Sequence, residues 1–121
     1  MTIEFTVTTR DTASGPVLEL SGELDAATAP DALEAIRLLA PSAGQQLLVD
    51  LSGLEFCDSS GVSALIAARN VAVAAGAAIA LAAVPGHLAR TLGLIGLAEL
   101  FKSYPTTEDA RKAWGSSASG P

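Results

Sequence analysis

The chain has 121 residues, half of them hydrophobic, with a formal net charge of −6 and a pI of about 4.5. That length suits one domain with one core, and the apolar fraction excludes a chain disordered throughout. The acidic balance argues against direct nucleic-acid binding and against adsorption to anionic lipid, while a lone cysteine, Cys57, forms no internal disulfide and suits a reducing compartment.

Ile3, Phe5 and Val7 alternate with Glu4, Thr6 and Thr8, the pattern of a half-buried strand. The opening residues lack a basic region followed by an apolar core, so they are not read as a secretory signal. Arg10 to Pro16 reads as a turn broken at Gly15-Pro16, and Val17, Leu18 and Leu20 as the hairpin partner strand. Ser21-Gly22-Glu23-Leu24-Asp25 then closes that strand as a loop. Thr28-Ala29-Pro30-Asp31 has the form of a capping box with proline in the first turn. Leu33, Ile36 and Ala40 share a face of the helix that follows, and Pro41 ends it.

Leu47, Leu48, Val49 and Leu51 form a nearly unbroken apolar run within Gln46–Leu51, which suits a strand covered on both faces. Gly53 breaks the pattern, and a loop leads to a helix over about Ser60–Ala75 with Gly76 beyond its end. Ala77–Ala82 reads as a strand reached by a crossover, hence parallel to the one before. The alanine-rich stretch Val71–Val84 is too short, and interrupted at Gly76, to span a bilayer. Pro85-Gly86 opens a third helix finished near Gly93 to Gly96. Leu100–Tyr104 is a short last strand, and Thr106-Thr107-Glu108-Asp109 caps a helix ending near Trp114, a packing residue. The order ββαβαβαβα implies a single α/β domain over residues 1–114, a small mixed β-sheet with helices packed on it. Residues 115–121 read as a flexible tail. A cytoplasmic protein without membrane insertion is the expectation.

The chemistry concentrates at Cys57-Asp58-Ser59-Ser60-Gly61. Asp58 and Ser59 are both good N-cap types. A serine at the first turn of a helix after a central strand sits on the carboxyl rim of the sheet, where open α/β sheets place their sites. Two readings of Ser59 follow: a helix cap, or a phosphoacceptor whose phosphate would add roughly −1.5 to −2 charges at pH 7. Asp58 either orients the Ser59 hydroxyl or caps the helix. Ser60 is a secondary acceptor or fixes the helix start. Cys57 either has an activated thiol near the helix end or, as a small residue after phenylalanine, belongs to the core.

Other chemistries lack their patterns. His87, the single histidine, has no ligand spacing around it, so neither metal nor cofactor is expected. The Gly-x-Ser-x-Gly elbow of a serine hydrolase has Cys57 at its first position, and no phosphate-binding Gly-x-x-x-x-Gly-Lys loop occurs.

Residues 48–61, Leu-Val-Asp-Leu-Ser-Gly-Leu-Glu-Phe-Cys-Asp-Ser-Ser-Gly, resemble the signature of STAS domains, closest to bacterial anti-sigma factor antagonists. Ser21-Gly22-Glu23-Leu24-Asp25 resembles the second signature, and the likeness covers about residues 3–114. Cys57 departs from the usual aliphatic residue, and the helices are unusually rich in alanine. The resemblance implies a non-enzymatic partner switch. Unphosphorylated protein binds an anti-sigma factor that is also a serine kinase, so the sigma factor is freed. The kinase, with its own ATP and magnesium, phosphorylates Ser59, the complex breaks, and a PP2C-type phosphatase resets it. The implied partner surface is Asp25, Asp58, Ser59, Ser60 and Gly61; from the residues alone Asp25 reads equally well as a turn residue or cap. The alternative is a stand-alone STAS scaffold subunit of a transport or stress-sensing assembly.

Overall fold

The computed structural model describes residues 4–118, so Ile3 lies outside the described residues. Five strands form one sheet in sequence order: β1 (Thr6–Thr12), β2 (Gly15–Leu24), β3 (Gln46–Cys57), β4 (Ala78–Ala82) and β5 (Lys102–Tyr104). β1 and β2 are antiparallel, and every later pair is parallel. Helices α1 (Ala29–Arg37), α2 (Ser59–Ala74) and α3 (Gly86–Leu94) connect the parallel strands, a 3-10 turn (Ala98–Leu100) precedes β5, and α4 (Thr107–Ala118) ends the described chain. The order is the expected ββαβαβαβα. No helix among the described residues is long and apolar enough to cross a membrane.

The sheet separates two unequal layers. On one face Leu18, Leu20, Leu47, Val49 and Leu51 pack under Ile36 of α1, Leu65 of α2 and Leu88 of α3. On the other face a small cluster of Val17, Leu48, Ala80 and Ala82 is covered by Ala110 of α4, with Tyr104 at its edge. Leu47 to Val49 are therefore buried on both faces, which is why that run shows no alternation.

Several boundaries differ from the sequence reading, mostly because glycines that read as breaks lie inside paired strands. The hairpin turn is tighter than Arg10–Pro16: Thr12 pairs with Gly15, and Thr12 Oγ1 donates to the Gly15 carbonyl at 2.8 Å. β2 does not stop at Leu20, nor β3 at Leu51. The two strands remain paired through Leu24 and Cys57, past register shifts between Glu19 and Ser21 and between Gly22 and Glu23. The glycines accommodate bulges rather than end the strands. Gly53 stands opposite Ser21, and a methyl group built on it would overlap the Ser21 hydroxyl.

α1 ends at Arg37, before Pro41, and its buried face is Ala29, Ala32 and Ile36; Leu33 and Ala40 are exposed. Its expected capping box does not form, because the Thr28 hydroxyl oxygen accepts from the Asp25 amide instead. At α4 the cap does form, with Thr106 Oγ1 accepting from the Asp109 amide at 3.0 Å. α4 continues past Trp114 to Ala118, through residues whose lack of periodicity suggested a tail; residues 119–121 lie outside the described residues.

Candidate functional site at the carboxyl rim

Parallel β2 and β3 run side by side to the same edge of the sheet, and each empties into a helix start. The join is a backbone bond: the Asp58 amide donates to the Leu24 carbonyl at 3.2 Å. The turn at Asp25 and the first turn of α2 are thereby neighbours, although 33 positions of sequence separate Asp25 from Asp58.

At α2 the capping ambiguity resolves in favour of Asp58. Its backbone is extended, with φ −97° and ψ −166°, and Oδ1 accepts from the Ser60 amide at 2.8 Å and from the Gly61 amide at 3.3 Å. Two of the orphan donors at this helix start are thus satisfied by one carboxylate. Ser59 is the first helical residue. Its carbonyl accepts from the Ser63 hydroxyl at 3.1 Å, but its own hydroxyl makes no hydrogen bond among the described residues and the residue is exposed. Ser60 is half-buried. The arrangement offers a hydroxyl to an incoming group while the adjacent amides are already occupied.

Asp25 builds its turn in the same manner. Oδ1 accepts from the Ala27 amide at 3.0 Å and the Thr28 amide at 3.1 Å. Its carbonyl accepts from the Ala29 amide at 2.7 Å. Thr28 completes the turn by accepting from the Asp25 amide at 2.9 Å and donating to the Glu23 carbonyl at 2.8 Å. The structural reading of Asp25 is realised in full, and its half-buried position leaves one side to solvent.

Gly61 was expected among partner-binding residues, yet it is buried. A methyl group on it would overlap Cys57 Sγ and stand 2.9 Å from Leu24 Cγ. Its place is beneath the surface, where its missing side chain lets α2 close onto the ends of both strands. Cys57 is a core residue, 8% exposed, and its Sγ donates to the Asp58 carbonyl at 3.6 Å. Burial, aided by the Asp58 charge, pushes the thiol from its ordinary 9.0 up to about 11. That is the opposite of the activation a helix N-terminus can give. His87 is exposed at the start of α3, and no group of three or more potential metal ligands converges among the described residues.

Residues 7–102 match the family model described as "Mlab, STAS domain". The chain belongs to the STAS domain family. It is 31% identical over 106 residues to the anti-sigma-F factor antagonist RsfB of Mycobacterium tuberculosis, an overlap covering 88% of this chain and 86% of RsfB. An anti-sigma factor antagonist from Mycobacterium paratuberculosis superimposes with a TM-score of 0.80 at 30% identity, over 93% of this chain and 95% of that one. The Bacillus cell fate determinant SpoIIAA, solved in its phosphorylated form, shares the fold with a TM-score of 0.66 at 20% identity, over 91% of this chain and 98% of that one. As a STAS domain, the chain carries both signature segments on the paired ends of β2 and β3. Sequence reasoning found those segments but missed the strand pairing between them, and with it the flank where exposed Phe56 pairs with half-buried Glu23.

Proposed function

We propose that the chain is an anti-sigma factor antagonist that binds an anti-sigma factor serine kinase and is released by phosphorylation of Ser59. The observation that carries this reading is the exposed, unbonded Ser59 hydroxyl at the rim between the Asp58 cap and the Asp25 turn. The likeness to RsfB over most of both chains supports the antagonist role.

The electrostatics supply a switch. A helix N-terminus normally welcomes an anion. Here the Ser60 and Gly61 amides are already held by Asp58, so a phosphate on Ser59 would have to compete with that carboxylate for them. The added dianion stays exposed, repels Asp58 and Asp25, and must be desolvated if a partner is to remain docked. A loss of about 3 kcal/mol changes affinity roughly a hundredfold or more. Nothing in the fold has to rearrange. Asp25, Asp58, Ser59 and Ser60 form the docking rim with Gly61 as the packing beneath, and a PP2C-type phosphatase restores the binding form.

The test uses each anti-sigma factor of the source organism, purified, with magnesium and ATP. Intact mass and site mapping should find one phosphate, on Ser59. Ser59→Ala should bind the same factor and take no phosphate, while Ser59→Asp should bind at least about tenfold more weakly. Stoichiometric phosphate on Ser59→Ala overturns the acceptor assignment. Failure of every factor to bind the unphosphorylated protein overturns the antagonist role and leaves a scaffold subunit as the next reading.

A further inference from the structure

Phe56 is the one aromatic residue among the exposed large hydrophobic side chains of the described residues, at 46% exposure. It lies three residues before Ser59. Cys57, next to it, is buried in the main core, and strand alternation turns Phe56 to the opposite face of the sheet. Its β2 partner Glu23 precedes buried Leu24 and faces the same way. α4 covers that face only around Val17, Leu48, Ala80 and Ala82, and Phe56 belongs to neither packed cluster.

The backbone is built to place it there. Gly22 pairs with Leu54 and Glu23 with Phe56, so Glu55 is an extra residue on β3. A bulge of this kind re-aims the side chains around it. Burying such a ring contributes roughly 1.5–3 kcal/mol, a gain the fold leaves half unused. The flank is also negatively charged. Glu23, Asp25, Glu55 and Asp58 all lie within two positions of Phe56 or its partner, and none is in an ion pair among the described residues; the ion pairs are made by Glu19, Glu34 and Glu108 instead.

We propose that Phe56 is the apolar anchor of the partner interface, seated in a pocket of the anti-sigma factor that is rimmed by Lys or Arg side chains. The proposal rests on the antagonist reading and extends its surface from the Ser59 rim onto the uncovered sheet face. An aromatic side chain ringed by polar groups is the usual form of an interface hot spot. Unpaired acids around it select a basic partner and speed encounter. A second copy of this chain is disfavoured as occupant, because it would bring the same acids against themselves.

The experiment measures binding of purified anti-sigma factors of the source organism to the wild type, Phe56→Ala, Phe56→Tyr and the double variant Glu23→Gln/Glu55→Gln, at low and high salt. Phe56→Ala should bind at least about tenfold more weakly while still folding cooperatively and unfolding well above the assay temperature, and Phe56→Tyr should stay within about threefold of wild type. The double variant should associate more slowly at low salt, with the difference shrinking at high salt. Binding of Phe56→Ala within about twofold of a wild type that binds overturns the anchor and leaves the antagonist role standing. Absence of wild-type binding to any factor overturns both. Phe56-dependent self-association in sedimentation would assign the surface to a second copy and overturn the basic partner.

Discussion

The Asp58 amide donates to the Leu24 carbonyl at 3.2 Å, and this bond fixes the start of α2 against the end of β2. Because Asp25 follows Leu24 and Ser59 follows Asp58, the bond sets the spacing of the two acidic turns around the exposed hydroxyl. Substitutions around it separate what holds the rim from what the rim presents.

Asp58 and Ser59 should part company in stability. Asp58→Ala removes the acceptor for two amides of α2 and should cost about 0.5–2 kcal/mol. Ser59→Ala removes a hydroxyl without a partner and should stay within about 0.5 kcal/mol of wild type. Urea unfolding followed by circular dichroism checks both. An equal loss in the two variants would mean that Ser59 shares the capping role.

Asp25 can be divided between its two roles. Asp25→Asn keeps an oxygen for the Ala27 and Thr28 amides but removes the charge, so stability should stay near wild type while affinity for a basic partner falls. Asp25→Ala should lose the turn as well, at about 0.5–2 kcal/mol. Melting temperatures and binding isotherms of the pair give the comparison.

Gly61→Ala should destabilise by about 1–3 kcal/mol, because the new methyl group overlaps Cys57 Sγ and crowds Leu24. Cys57→Ala in the same chain should return part of that loss, so the two substitutions should fail to add. Strict additivity in a double-mutant cycle would show that the helix moves away instead.

Cys57 should make stability fall in alkali. Its folded thiol is raised from 9.0 to about 11, so the folded protein keeps a proton that the unfolded chain gives up between those values. Stability contributed by the neutral thiol is intact below pH 9 and declines as pH rises through about 11, at up to roughly 1.4 kcal/mol per pH unit. Cys57→Ala should flatten this part of the profile. In the native state the thiol should also react with a disulfide reagent far more slowly than in urea.

The order of elements was legible because each carries its own period: alternation in β1, an unbroken apolar run in β3, helical spacing from Val62. The two signature segments were legible as well. What escaped was their pairing. Gly22 and Gly53 punctuate the sequence as turns do, and only the tertiary contact of β2 with β3 shows them as paired residues beside bulges within the strands. The same limit hid Phe56, since its exposure depends on the register beside Glu23 and not on any neighbour in sequence. Thr28 misled for a different reason. Its residue type fits a cap, but its hydroxyl oxygen accepts instead from the Asp25 amide while the hydroxyl donates to the Glu23 carbonyl.

α2 meets the sheet through Gly61, Ala64, Ala68 and Ala72, all buried, with Val62 and Leu65 alongside. Glycine and alanine have no side-chain rotamers to lose when packed. The helix bearing Ser59 is therefore held with little freezing of side chains, and the rim is shaped before any partner arrives. Association with a preformed surface spends little of its free energy on ordering. It should proceed as rigid docking, with unphosphorylated and phosphorylated protein differing in how long the complex lasts more than in the shape that is met.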